Sequence, residues 1–205
     1  LTHPLSSSRI SDAFNAADGI SEEGKKSDSL EFGLMKARLE VYYEKIPANA
    51  LRSFQAKVND NPSDANIYGL ALAHEKNNNF DESLSLLNNL IQKYPKNLVI
   101  NTTKVDVLLS NNEFSRALIL VDRFLEISPK NYPLSIYKSK VLLAMERYFE
   151  SEEIIRDQLL RRNDDPELWL LLSEIQRTSQ NIIGYHQSRA EYFLLLGQDE
   201  QALNQ

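Results

Sequence analysis

The chain has 205 residues, 42% of them apolar and 25% charged, with no cysteine and a net charge of −6. Its length suits one or two compact domains, and its composition is that of a globular chain rather than a disordered one. The acidic balance argues against nucleic acid as a general partner, no stretch of about 20 apolar residues provides a membrane span, and the lack of thiols excludes disulfides, thiolate zinc sites and cysteine nucleophiles.

Residues 1–17, LTHPLSSSRISDAFNAA, contain Thr2-His3-Pro4, four intervening residues, Arg9-Ile10 and a short helical run. Residues 18–29, DGISEEGKKSDS, are polar and rich in Gly, Ser and Lys, which reads as a linker. From residue 30 onward the pattern is helical and recurrent. Residues 31–62 hold two helical runs, with Pro47 at the turn between them. Beyond them, Pro62, Pro95, Pro129 and Pro166 are separated by 33, 34 and 37 residues. In step with them, Phe80, Phe114 and Tyr148 open the phrases FDESLSLL, FSRALILV and YFESEEII at intervals of 34. Each phrase carries a small residue (Ser83, Ala117, Ser151) and, one helical turn later, a bulky apolar one (Leu87, Val121, Ile155).

This pattern predicts helical hairpins. Each unit has a first helix, a short polar turn such as KNNN or LSNN, and a second helix stopped by the proline. The small residue lets two helices approach, and the bulky one fills the space beside it. The predicted units run over about 30–63, 64–97, 98–131, 132–165 and 166 onward, and EYFLLLGQDEQAL (191–203) is expected to begin a further, truncated one.

The chain resembles the tetratricopeptide repeat, whose period is 34 residues. Trp169, Leu172 and Ser173 meet the pattern of the first helix, with Gln176 where Tyr is expected, as do Ile67, Leu70, Ala71 and His74. Ala50 and Phe54, Ser83 and Leu87, and Ala117 and Val121 meet that of the second helix. The 98–131 unit departs, with Asn101 and Lys104 at the usual Trp and Leu positions, and the 37-residue proline gap leaves the registration open from Tyr132 on. The resemblance implies an all-α solenoid of antiparallel helix pairs, preceded by the short helical remnant and the linker. It also implies a concave groove lined by first helices that binds protein segments. On that frame the solvent-facing groove positions are Tyr68, Leu72, Thr102, Asp106, Leu109, Ile136, Lys140 and Leu143. Tyr68 and Leu72 stand where some members of the fold use Lys and Asn to hold a terminal carboxylate, which argues against such a clamp. Ordinary helix packing is the competing role for each of these positions.

Chemistry within the chain is sparse. His74-Glu75 lacks the second histidine of H-E-x-x-H, and His186 has no spaced partner, so both read as structural and no metal site is predicted. Glu22–Glu23, Glu152–Glu153 and Asp164–Asp165 are adjacent pairs that diverge on a helix and read as solvated surface.

The Thr2-His3-Pro4-x4-Arg9-Ile10 phrase looks like the end of the catalytic domain of zinc metallopeptidases with an H-E-x-x-H core. Placed before a repeat array, it resembles the periplasmic beta-barrel assembly-enhancing protease family of Gram-negative bacteria. That resemblance implies a periplasmic zinc metalloendopeptidase acting in outer-membrane protein assembly and quality control. Its repeats would dock on the barrel-assembly machinery or on outer-membrane protein substrates. The zinc motif is then expected upstream of Leu1, so zinc belongs to the parent protein and this segment is expected to be catalytically silent, without a cofactor. His3 and Arg9 match the family's residues at the edge of the active site. There an imidazole or guanidinium stabilises the oxyanion, or the histidine blocks zinc; the competing reading is a loop histidine and a surface charge. The alternative for the whole chain is a free-standing scaffold or adaptor with no enzyme attached.

Overall fold

The computed structural model describes residues 29–205. They form eleven helices and no strand: α1 Leu30–Tyr43, α2 Pro47–Asp60, α3 Asp64–Lys76, α4 Phe80–Lys93, α5 Leu98–Ser110, α6 Phe114–Ile127, α7 Tyr132–Ala144, α8 Tyr148–Leu159, α9 Pro166–Thr178, α10 Ile182–Leu195 and α11 Asp199–Leu203. The odd-numbered helices from α1 to α9 begin at intervals of 34 residues. Each start is set by a capping side chain. Ser29, Ser63, Asn97 and Asn131 accept from the backbone N–H three residues on, at 3.1–3.3 Å, and Asp165 accepts from Glu167 N–H at 3.0 Å. These bonds satisfy amides that the first turn leaves without helical partners.

The stops recur with the same period. Asn78, Asn112, Glu146 and Gln180 each have φ between 59° and 62°, the left-handed conformation that ends a helix. The next residue in each case returns its N–H to a carbonyl five residues back: Asn79 to His74, Glu113 to Leu108, Arg147 to Leu142 and Asn181 to Gln176, at 2.8–2.9 Å. The 37-residue gap before Pro166 therefore does not shift the frame. Pro62, Pro95 and Pro129 lie in the connections, whereas Pro166 is the first residue of α9, where a missing N–H is harmless. Glu191–Leu195, expected to open a new unit, instead completes α10, the partner of α9. A last short helix, α11, packs against α10.

First helices lie side by side, α1 on α3, α3 on α5 and α5 on α7, while the second helices are wedged between them. α2 packs chiefly on α3. Ser83, Ala117 and Ser151 are fully buried where second helices approach first ones, and Leu87, Val121 and Ile155 are buried beside them. One apolar cluster runs from Leu34 in α1 to Val141 in α7, and a second is built from Ile155, Leu159, Leu168, Leu171, Leu172 and Ile175. Gly69 marks the tightest approach: a Cβ there would meet the Phe54 ring of α2 at 2.0–2.6 Å.

Candidate binding groove

The face shared by α1, α3, α5 and α7 carries a polar network over this core. Arg38 of α1 donates from Nε and Nη2 to the Tyr68 hydroxyl of α3, at 3.1 and 2.7 Å, and from Nη2 to Thr103 Oγ1 of α5 at 2.6 Å. Thr103 Oγ1 donates to Val99 O at 2.7 Å, so in its 2.8 Å contact with Tyr68 the phenol is the donor. Both hydroxyls are thereby saturated, and three of the five guanidinium hydrogens are assigned. Arg38 is held rigidly, with Nη1 left unassigned among the described residues.

Beside this network α1 and α3 enclose a pocket of about 410 Å³. Val41, Leu72 and Phe80 supply its apolar wall; Arg38, Glu75, Lys76 and Ser110 supply its charged and polar groups. Lys76 Nζ donates to the carbonyls of Val41, Tyr42 and Glu44 at 2.6, 3.3 and 2.6 Å, and so caps the end of α1 with all three of its hydrogens. Glu75 accepts only a long 3.4 Å bond from Ser110 and has no ion pair among the described residues. Burial, with the Asp106 charge adding to it, pushes its carboxyl up to about 7. Asp106 accepts from the Tyr137 hydroxyl at 3.0 Å. Burial raises its carboxyl too, against the opposing effects of that bond and of Arg38 and Lys140.

The expected groove positions divide on this face. Tyr68 is 0% exposed, so it does not face solvent: Arg38 and Thr103 close over its hydroxyl, and the ring fills the space between helices. Leu72, at 9%, is likewise not a solvent-facing residue but the apolar wall of the pocket. Thr102 is half-buried and bonded to Leu98 O of its own helix, and Asp106 is half-buried beneath Tyr137. Leu109, Ile136 and Leu143 are half-buried and pack against the two apolar clusters, whereas Lys140 is exposed. Arg38 and Glu75 were not among the expected residues. The repeat period finds both, since Arg38 lies one period before Leu72 and Glu75 one period before Leu109. His3 and Arg9 lie outside the described residues, as do residues 1–17 and nearly all of the linker.

No three His, Asp or Glu side chains among the described residues converge as a metal site, and no described helix is long and apolar enough to cross a membrane. His74 instead meets Asn79 Nδ2 at 3.5 Å, within the turn that joins α3 to α4.

No protein-family model and no curated protein matches the sequence. Among solved structures, a thermophilic TPR protein of Thermus thermophilus superposes with a TM-score of 0.64 at 16% identity, over 86% of this chain and 100% of its own. This is the tetratricopeptide-repeat fold. YrrB, described as a TPR protein with an unusual peptide-binding site, matches this tetratricopeptide array at a TM-score of 0.53 and 12% identity, over 93% and 95% of the two chains. MamA from Desulfovibrio magneticus RS-1 does so at 0.56 and 10%, over 82% and 96%. At these identities the likeness is one of fold.

Proposed function

We propose that the chain is a protein-interaction module whose groove, formed by α1, α3, α5 and α7, receives a segment of a partner protein. The observation that carries this reading is the open pocket beside the Arg38–Tyr68–Thr103 network. An apolar wall lies next to the Glu75 carboxyl and to the Arg38 guanidinium, whose position is fixed by bonds to two other helices. Preorganised groups of this kind bind without a further ordering cost. The tetratricopeptide fold supports the reading, as does the peptide-binding site for which YrrB is described.

The finer reading is that this module belongs to a periplasmic zinc metalloendopeptidase of outer-membrane protein assembly and quality control. Its partners are then the barrel-assembly machinery or outer-membrane protein substrates. The Thr2-His3-Pro4-x4-Arg9-Ile10 phrase ahead of the array supports it. His3 and Arg9 are the residues this chain would lend to the peptidase, whose zinc ligands lie elsewhere.

Two experiments test the two levels. A photo-crosslinking amino acid at Tyr42, on the pocket rim, or at Lys140 is expected to give protein adducts in cells, whereas one at Arg123 on α6 is not. Equal labelling at all three positions would remove the groove assignment. Reading the parent gene upstream of Leu1 tests the finer level. An export signal followed by H-E-x-x-H is expected, and a gene without that motif returns the chain to the class of free-standing adaptors.

A further inference from the structure

The chemistry of the pocket narrows what its occupant carries. Arg38 and Lys76 are the two cations on its wall, and both are turned to neutral oxygens. Arg38 serves two hydroxyls, and Lys76 serves three main-chain carbonyls at the end of α1. Glu75 makes no ion pair among the described residues, Arg38 acting on it only at longer range. Its one partner among the described residues is Ser110 at 3.4 Å, beyond the usual range for a hydroxyl–carboxylate bond. The carboxyl stands next to an apolar wall of Val41, Leu72 and Phe80, along which a methylene stem can lie.

We propose that the pocket between α1 and α3 receives a lysine or arginine side chain of the bound protein segment, with the Glu75 carboxylate as its counter-ion. The inference rests on the groove reading and adds the partner's chemistry to it. Charge complementarity selects this occupant. The groups facing Glu75 are Arg38 from α1 and Asp106 and Ser110 from α5, with Lys140 of α7 acting on Asp106. Burial and Asp106 outweigh Arg38 and hold the carboxyl up at about 7. A cation that enters reverses that balance, restores the carboxylate and releases a proton. The chain's net charge of −6 adds a weak long-range attraction for basic segments.

The test is a synthetic library of unselected decapeptides, presented to the whole chain and read by sequencing what it retains. Retained peptides are expected to be enriched in Lys or Arg flanked by apolar residues. Glu75→Gln should retain peptides without that enrichment. With the Glu75 carboxyl at about 7, the affinity for a retained peptide should rise about tenfold from pH 6 to pH 8 as the acid ionises. Glu75→Gln should show no such rise. Asp106→Asn should keep the rise but move its midpoint to lower pH. A retained set with no excess of basic residues, one rich in acidic residues, or an excess that survives Glu75→Gln overturns the inference and leaves the groove standing. A chain that retains no peptide at all removes both.

Discussion

The Arg38 guanidinium and the Tyr68 hydroxyl, 30 residues apart in sequence, meet at 2.7 Å and tie α1 to α3. Because Tyr68 also reaches Thr103, this one bond joins three first helices into a single unit of the groove floor. Arg38→Met leaves the Tyr68–Thr103 bond in place and removes only the charged donor. Its expected cost is about 1.5–3 kcal/mol, the range for hydrogen bonds to charged groups. A double-mutant cycle with Tyr68→Phe under urea denaturation checks it. The two changes should be strongly non-additive, and simple additivity would show that the bond contributes nothing.

The contact of Gly69 with Phe54 is steric. Adding a methyl group forces α2 and α3 apart or turns the ring from its rotamer, and overpacking of this kind costs about 1–3 kcal/mol. Gly69→Ala should lower the melting temperature, and Phe54→Leu in the same chain should restore part of the loss.

Two buried serines with the same place in their units are expected to behave oppositely. Ser83 Oγ is buried without a hydrogen-bond partner among the described residues, whereas Ser151 Oγ bonds Ser139 Oγ at 2.8 Å and Ser139 O at 2.9 Å. Ser83→Ala should be neutral or stabilising, and Ser151→Ala should cost about 1 kcal/mol, since it removes bonds and leaves a buried partner underused. Equal chemical-denaturation midpoints for the two variants would contradict this.

The left-handed turn residues offer a gain. Glu146 and Gln180 hold φ of 60° and 62° without the local side-chain bonding that eases Asn into this region. Glu146→Gly and Gln180→Gly should each stabilise the chain by about 0.5–1 kcal/mol, the relief of strain exceeding the added entropy of the unfolded chain. Asn112→Gly should yield less. Thermal unfolding of the three variants orders them.

Burial raises the Glu75 carboxyl from 4.5 in the unfolded chain to about 7 in the fold. The folded state therefore binds the proton more tightly, and stability falls as pH rises between these two values. The glutamine variant lacks this term. Glu75→Gln should match the parent chain near pH 4 and exceed it by up to ~3 kcal/mol at pH 8. Urea midpoints measured across that range decide it, and a constant difference would mean that Glu75 titrates normally.

The repeat was legible in the sequence because a period of 34 shows in residue types that few other roles explain, such as Phe80, Phe114 and Tyr148. The proline series left the registration open from Tyr132 on, because Pro166 serves as a helix-opening residue while Pro62, Pro95 and Pro129 serve in connections. The caps Ser29, Ser63, Asn97, Asn131 and Asp165 hold the period without drift, but three residue types share the task and hide it. Depth in the groove was less legible than phase. The period puts Tyr68, Thr102 and Ile136 on one line, yet Tyr68 is fully buried while the other two are half-buried. Burial there depends on the residues that neighbouring helices bring across, Arg38 and Thr103, and these lie 30 and 35 residues away.

Each pair from α3 to α10 carries a capping side chain at its start and a left-handed residue at its internal turn. The signals that delimit a hairpin are thus local to it, and none has to wait for a distant strand or helix to arrive. Folding can nucleate in whichever pair forms first and zip outward in both directions, as in a one-dimensional chain of coupled units. The first pair, with α1 and α2 both leaning on α3, is then the place where the zipper opens at the amino-terminal end of the array, and where amide exchange should be fastest if the array frays from that side.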